Sequence, residues 1–187
     1  MARTESTMLP LGTPAPDFAL PDVVSGATIS PASFEDAKAL LVMFICRHCP
    51  YVKHVQQELA RIGADYASTP LRIVAISSND AGAYPDDSPE SLREMAEELQ
   101  FKFPLCYDDT QEVARAYNAA CTPDFFLFGR DRKLAYRGQL DDSRPNSGKP
   151  VTGHDLRAAI EAVLNYRPVN GDQKPSLGCN IKWKNRA

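Results

Sequence analysis

Two cysteines separated by two residues form the most chemically suggestive motif in the chain. Cys46 and Cys49 follow an apolar run at residues 39–45 and precede a segment with helical periodicity. At such a junction, the unpaired N–H groups of the first helical turn and the helix dipole stabilise a thiolate. One sulfur can then attack a disulfide, and the other can reach the same sulfur afterwards. The motif therefore predicts thiol–disulfide redox chemistry.

The two residues between the cysteines can both carry positive charge. Because opposite charge favours the anion, we expect Arg47 and His48 to lower the pKa of the Cys46 thiol. A stabilised thiolate places the couple toward the oxidising end of the dithiol range. The first cysteine of such a motif lies at the exposed start of the helix. We therefore expect Cys46 to be the nucleophile and Cys49 the resolving thiol.

A CxxC pair is also half of a common zinc site. Structural zinc needs four ligands, and no second closely spaced pair is present in the chain. The other cysteines and the remaining histidines are scattered, at Cys106, Cys121, Cys179, His54 and His154. We therefore expect neither a metal nor a dissociable cofactor.

Composition narrows the functional classes further. With 187 residues, 43% of them hydrophobic, the chain can bury one core, and no shift in composition divides it. A net charge of −3 without a basic run predicts neither a nucleic acid nor a membrane as partner. The first seven residues lack an apolar leader, which favours a cytoplasmic protein. An odd number of cysteines, five, favours reduced thiols over a structural disulfide framework.

The elements around the motif follow from periodicity. Residues 40–45 and 71–76 are continuous apolar runs typical of parallel strands covered on both faces, and residues 51–66 between them have helical spacing. This is the pattern of a βαβ crossover. Further elements are predicted as short strands near residues 18–20 and 28–29, helices starting after Ser88, at Asp109 and after Thr152, and a hairpin joining 124–128 to 133–137.

The connections at one end of this sheet supply further candidates. Because the redox pair lies at that end, the loops at residues 77–80 and 139–144 are expected to rim the same cleft. The polar side chains there are Asn79, Asp80, Asp141, Asp142 and Arg144. The alternative for the second loop is an ordinary solvated turn.

Three segments in this order resemble one family. Residues 12–18, the Cys46–Cys49 pair and Thr122-Pro123 are similar to the thioredoxin-fold redoxin family, which includes the alkyl hydroperoxide reductase/thiol-specific antioxidant (AhpC/TSA) proteins. The likeness covers roughly residues 11–165, and the whole chain is similar to a bacterial subgroup of thioredoxin-family proteins. It implies an α/β thioredoxin-like fold with a central mixed β-sheet flanked by helices, an N-terminal β extension and a C-terminal tail.

The resemblance also implies roles. Thr122–Pro123 matches a cis-proline turn that faces the cysteines and holds substrate in an extended form. The implied partners are protein or small-molecule thiols and disulfides, with a thiol reductant system. Peroxiredoxins of the family carry a threonine three residues and a proline seven residues before the reactive cysteine, whereas this chain has Met43 and Ala39. Met43 cannot make the hydrogen bond that holds peroxide, which favours a thiol–disulfide oxidoreductase.

Two alternatives remain open, a peroxidase using Cys46 and a metal-binding or interaction module without turnover. We divide the chain into a lead-in at 1–10, the domain at 11–165 and a tail at 166–187. The tail is expected to dock because it contains Leu177, Ile181 and Trp183. Docking would make Cys179 either an inert packed residue or an auxiliary resolving thiol near Cys46. Cys121 is open to the same two interpretations.

Overall fold

The structure is a computed structural model that describes residues 3–185. Within these residues the strands are β1 (Arg3–Glu5), β2 (Leu20–Pro21), β3 (Thr28–Ile29), β4 (Ala39–Phe44), β5 (Leu71–Ser77), β6 (Leu105–Tyr107), β7 (Cys121–Thr122), β8 (Asp124–Phe128), β9 (Leu134–Arg137) and β10 (Leu177–Asn180). The α-helices are α1 (Pro50–Asp65), α2 (Pro89–Glu98), α3 (Glu112–Ala116) and α4 (His154–Leu164). Single 3₁₀ turns lie at Pro31–Phe34 and Pro85–Asp87.

A mixed sheet with strand order β6-β5-β4-β8-β9 forms the centre. The predicted crossover is confirmed, since β4 and β5 are parallel and α1 connects them. The predicted hairpin is also confirmed, because β8 is antiparallel to both β4 and β9. The α/β fold with a central mixed sheet, which the family resemblance implies, is therefore confirmed.

Alternate residues of β4 face two different layers of the core. Leu41 and Met43 pack in the layer that contains the apolar faces of α1, α2 and α4. Leu40, Val42 and Phe44 pack with α3 and the N-terminal segment on the other face. Both faces of β4 are covered by other parts of the protein and excluded from water, which explains its unbroken apolar sequence. None of the described helices is both long enough and apolar enough to cross a lipid bilayer.

Two predicted helix starts are wrong. The third helix begins at Glu112 instead of Asp109, because Gln111 before it has φ +63°. The side chain of Asp108, and not that of Asp109, accepts a backbone N–H of this helix, that of Ala114 at 3.0 Å. The last helix begins at His154 after Gly153, which has φ +66°, so Thr152 lies one residue before the cap position, although its hydroxyl accepts the His154 N–H at 3.3 Å. By contrast, the predicted cap of α2 is confirmed, as the Ser88 hydroxyl accepts the Ser91 N–H at 3.3 Å.

Both ends of the described chain meet in a second sheet with strand order β1-β10-β7. The strand at residues 3–5 is not foreseen in the sequence, and residues 1, 2, 186 and 187 of the predicted segments lie outside the described residues. Leu177 and Ile181 are buried. Trp183 is 37% exposed beneath the Arg115 guanidinium, so the expectation that it is buried is wrong.

Candidate functional site

The two motif cysteines lie where β4 ends and α1 begins. Cys49 is the residue before the helix, in extended conformation, and Pro50 starts the first turn. Opposite them, the Thr122–Pro123 bond is cis, as predicted. The Sγ atom of Cys46 is 3.2 Å from the Thr122 hydroxyl, and the Sγ atom of Cys49 is 3.2 Å from the Thr122 carbonyl oxygen. The turn therefore faces both sulfurs directly.

A third cysteine completes the cluster. In the antiparallel pairing of β10 with β7, Cys179 is opposite Thr122. Its sulfur is 2.8 Å from the Cys49 sulfur, so the tail thiol contacts Cys49 instead of Cys46. Cys121 is buried next to this cluster in β7. Cys106 lies in β6 and packs in the other core layer, away from this cluster.

All five cysteines are buried in this conformation. The exposed fraction of Cys46 is 0%, so the expectation that it lies at an exposed helix start is wrong. The cavity beside Pro123 has a volume of about 20 Å³, roughly the space of one water molecule. The backbone edge of β7 at Thr122 was expected to pair with an extended substrate. In this structure it is paired with β10 of the chain's own tail.

The side chains of Arg47 and His48, between the two cysteines, bond to carboxylates of neighbouring segments. The Arg47 guanidinium is 2.6 Å from Glu94 and 3.2 Å from Glu98, both on α2. The His48 ring is 2.5 Å from the Asp87 carboxylate and stacks on Tyr84. The pKa of Cys46 is raised and not lowered, so the expectation that Arg47 and His48 lower it is wrong; both side chains pair with carboxylates instead.

The surroundings shift the pKa values of the two motif thiols in opposite directions. Hydrogen bonding to Cys49 raises the pKa of Cys46 well above its usual value, and burial and the nearby Asp87 carboxylate raise it further. Hydrogen bonds, first from Cys46 and also from Cys179, lower the pKa of Cys49 to about 5 although burial opposes them. In the reduced state the two motif thiols therefore share one proton.

This arrangement predicts an unusual pH titration. We expect the ultraviolet absorbance of one thiolate to appear with a midpoint near pH 5 and to persist at higher pH. The thiol of an unperturbed cysteine titrates at about pH 8.5. Cys46→Ala should move this midpoint upward, since it removes the donor that makes the largest contribution to the lowered pKa. Cys106→Ala is the control and should leave the midpoint in place. An unchanged midpoint in Cys46→Ala would show that the hydrogen bond does not set the pKa.

Asp87 is the main site residue that the sequence analysis missed. Its buried carboxylate accepts the backbone N–H groups of Arg47 and His48 at 2.8 and 3.1 Å, and the Asn79 amide at 2.7 Å, besides the His48 ring. These bonds hold the turn between the two cysteines. The only local signal is the acidic pair before the Ser88 cap, which would be interpreted as charge at a helix start.

Removing this carboxylate should destabilise the fold. We expect Asp87→Ala to lower the free energy of unfolding by about 2–4 kcal/mol, because several buried donors lose their acceptor. The neighbouring Asp86 is exposed, so Asp86→Ala is the matched control and should be close to neutral. Denaturant titration of the two variants gives the comparison, and equal midpoints would contradict the role assigned to Asp87.

The predicted rim residues have mostly structural partners. Asn79 and Asp80 hold the tail, through the Lys182 N–H at 2.8 Å and the Lys182 carbonyl at 2.9 Å. Asp141 accepts N–H groups of its own loop and of the start of α4, and Asp142 pairs with an exposed lysine. Arg144 bonds carbonyls of the same loop, beside the small cavity at Pro123. The two loops thus flank the turn without forming an open cleft.

One group of described residues has donor atoms close enough for a metal ion. The ligand atoms of Cys46, His48 and Asp87 all lie within 4.8 Å of one another. Both Asp87 oxygens already accept hydrogen bonds, and three donors fall short of the four of a structural zinc site. Metal analysis of the purified protein directly tests the metal-binding alternative.

The chain is similar to several solved structures. A conserved protein from Geobacillus kaustophilus, described as uncharacterized, is 57% identical with a TM-score of 0.97, covering 100% of this chain and 99% of that one. A hypothetical protein from Sinorhizobium meliloti is 49% identical with a TM-score of 0.96, covering 98% and 100%. A putative thiol:disulfide interchange protein from Chlorobium tepidum is 20% identical with a TM-score of 0.66, covering 84% and 99%, which shows the thioredoxin-like fold.

The sequence itself assigns the family. No curated protein gives a significant match to the chain. The model of the AhpC/TSA family matches residues 11–137, which contain β4, α1, both motif cysteines and the cis-proline turn. The predicted redoxin resemblance is confirmed: the chain belongs to the AhpC/TSA family and has a thioredoxin-like fold.

Proposed function

We propose that this protein is a thiol–disulfide oxidoreductase with Cys46 and Cys49 as its working pair. The observation that carries the proposal is the position of both sulfurs against the Thr122–Pro123 turn, each 3.2 Å from an oxygen of Thr122. A purely structural pair would need neither the shared proton nor the adjacent hydroxyl. The family match and the fold support the same reaction class.

The shared proton supplies a route to the nucleophile. Transfer of the Cys46 proton to the Cys49 thiolate leaves the charge on Cys46, which then attacks a substrate disulfide and expels one substrate thiolate. The Thr122 hydroxyl favours the Cys46 anion by hydrogen bonding. Cys49 then gives its proton to the substrate thiolate that was expelled first, attacks the Cys46 sulfur of the mixed disulfide, forms the Cys46–Cys49 disulfide and expels the second substrate thiolate. The reverse sequence oxidises a dithiol.

The substrates of this reaction are protein or small-molecule disulfides, with a thiol system restoring the reduced form. Extended substrates would pair with the edge of Thr122 that β10 covers in this conformation. Their access therefore requires that residues 176–182 move away. A small disulfide needs only a local opening above Cys46.

Trapping the covalent intermediate tests the proposal. In Cys49→Ser the resolving step is lost, so the variant should accumulate mixed disulfides when it is mixed with oxidised glutathione or with insulin that retains its disulfides, whereas the wild type should release both products. Peptide mapping should place the adduct on Cys46. An adduct found on Cys49 in Cys46→Ser, but never on Cys46 in Cys49→Ser, would exchange the two roles.

A thiol peroxidase is the second candidate, and the match to the AhpC/TSA family fits it equally well. The geometry gives it less support, since Met43 occupies the position of the peroxide-holding threonine and is fully buried in the core. Peroxide consumption over repeated turnovers with dithiothreitol would establish this activity. Consumption of a single equivalent would leave the protein a disulfide exchanger.

A further inference from the structure

The proposed reaction uses two of the three clustered thiols and leaves Cys179 without a role. Cys179 is 130 positions away from Cys49 in the chain, yet their sulfurs are 2.8 Å apart. A disulfide bond measures 2.03–2.05 Å, so the two sulfurs need to approach by only about 0.8 Å to form one.

The tail that carries Cys179 is held firmly in this position. The Ser176 hydroxyl donates to the Pro123 carbonyl at 2.7 Å, and the Lys182 N–H donates to the Asn79 side chain at 2.8 Å. The Ile181 N–H donates to the Ala120 carbonyl at 3.2 Å. Anchors on both sides of Cys179 therefore set its sulfur against Cys49.

We infer that Cys179 is a third redox thiol, which takes the disulfide over from Cys46–Cys49 by attacking the Cys49 sulfur. The inference rests on the proposed function, because the Cys46–Cys49 disulfide is its starting state. The sulfur–sulfur bond between Cys46 and Cys49 breaks as the bond between Cys49 and Cys179 forms. Cys46 leaves as a thiolate and takes up one proton, which balances the proton that Cys179 gives up. No further oxidant or reductant is consumed.

The charges around Cys179 couple this step to oxidation of the pair. In the reduced protein, burial raises the pKa of Cys179 to about 12, together with the hydrogen bond to Cys49 and the Cys49 charge. Once Cys49 is in a disulfide it carries no charge, so two of these three causes disappear. Lys182, which lowers the pKa of Cys179, stays in place. Oxidation of Cys46–Cys49 thus favours the Cys179 thiolate that attacks it.

Lys182 is suited to support that anion. It is 6% exposed, and its ammonium donates to the Asn180 carbonyl at 2.7 Å and to the Asn180 side-chain oxygen at 2.9 Å. Both acceptors are neutral, and within residues 3–185 no carboxylate forms an ion pair with it. A buried cation is stabilised by a nearby anion, which the Cys179 thiolate would supply. The leaving group is stabilised as well. The Thr122 hydroxyl lies 3.2 Å from the Cys46 sulfur and donates a hydrogen bond to the departing Cys46 thiolate.

The product differs from the ordinary oxidised state in two ways. Cys46 becomes a free thiol again, while the oxidising equivalent is stored between α1 and β10. The new bond also ties the tail across the Thr122 edge, which closes that edge to an extended substrate. In the oxidised protein, the strand edge at Thr122 would become accessible only after a reductant breaks the Cys49–Cys179 bond.

Disulfide mapping along a time course tests the inference. Reduced protein is mixed with oxidised glutathione, quenched with acid, alkylated and digested for mass spectrometry. In the wild type we expect the Cys46–Cys49 disulfide first, followed by Cys49–Cys179 with Cys46 alkylated. Cys106→Ser, which removes a remote buried thiol, should behave like the wild type. Wild-type protein that stops at Cys46–Cys49 with Cys179 fully alkylated would overturn the inference and leave the proposed function intact.

Two variants separate the route from its alternatives. Cys179→Ser should stop at Cys46–Cys49 and still exchange with glutathione. Cys46→Ser should form Cys49–Cys179 far more slowly than the wild type, because the exchange begins at Cys46. Formation at the wild-type rate in Cys46→Ser would overturn the relay. If neither the wild type nor Cys179→Ser formed Cys46–Cys49, both the proposed function and the inference would fail.

Discussion

Cys46→Ser is expected to reduce the rate of disulfide exchange by at least roughly a thousandfold, because an alcohol does not replace a thiolate as a nucleophile toward sulfur. In the structure this sulfur is buried against Thr122 and shares its proton with Cys49. The substitution changes one atom in a packed site, so the fold should persist. Reduction of insulin disulfides, followed by turbidity with dithiothreitol as reductant, measures the loss.

The matched control is Cys106→Ser, which makes the same chemical change at a buried cysteine of β6 in the other core layer. Burial raises the pKa of Cys106 to about 12, so it is an inert thiol at neutral pH. The control variant should keep the wild-type rate per folded molecule. Full activity in Cys46→Ser would exclude Cys46 as the attacking thiol and move that role to Cys49.

The sequence predicts the position of the redox pair because its signals are local. An apolar run ends at residue 45, Cys46 and Cys49 follow, and Pro50 starts a helix, so the strand-to-helix junction can be recognised without knowing the rest of the fold. The cis-proline turn is distant in sequence, but the family resemblance supplies it. These two segments already define which atoms face one another across the site.

The electrostatics of the pair cannot be predicted in this way. Arg47 and His48 are adjacent to the cysteines in sequence, yet their side chains extend to carboxylates of α2 and of the turn before it. Asp87, about forty positions away, instead holds the motif's backbone and contributes to the raised pKa of Cys46. Side-chain direction depends on tertiary packing, so the type of a neighbouring residue does not fix the sign of a pKa shift.

The place where the tail docks cannot be predicted from local sequence either. Its apolar residues predict docking but do not specify a place, and they leave Cys179 either an inert packed residue or a thiol near Cys46. The structure places Cys179 against Cys49 because β10 enters between β1 and β7 in a register that pairs Cys179 with Thr122. A shift of that register by one residue would turn the thiol to the opposite face of the strand.

Gly178 provides a direct way to undock this tail. A Cβ atom at Gly178 would lie 2.0 Å from the Thr122 carbonyl oxygen and 3.1 Å from the Pro123 nitrogen, both backbone atoms that cannot move aside easily. Gly178→Ala should therefore weaken docking by about 1–3 kcal/mol, the usual cost of overpacking. That free energy corresponds to a roughly 5- to 150-fold larger fraction of molecules with the Thr122 edge open.

We expect two consequences of this opening, both large. Alkylation of Cys49 by iodoacetamide should accelerate by about the same 5- to 150-fold factor, since the tail residue Cys179 contacts the Cys49 sulfur and access to it is limited by the open fraction. Exchange with an extended protein substrate such as insulin should accelerate as well, because the strand-pairing edge of Thr122 becomes free. Exchange with oxidised glutathione should change less, as a small disulfide does not need that edge.

Two further variants keep this prediction testable if Gly178→Ala loses stability. Gly171→Ala lies in the same tail with no atom within 4 Å of the added Cβ, so it should match the wild type. Ser176→Ala removes only the hydrogen bond from the Ser176 hydroxyl to the Pro123 carbonyl and should accelerate alkylation in the same direction by a smaller factor. Thermal unfolding confirms that each variant is folded during the assay. If folded Gly178→Ala reacted at the wild-type rate, the tail would not control access to Cys49, and opening would have to occur elsewhere around the site.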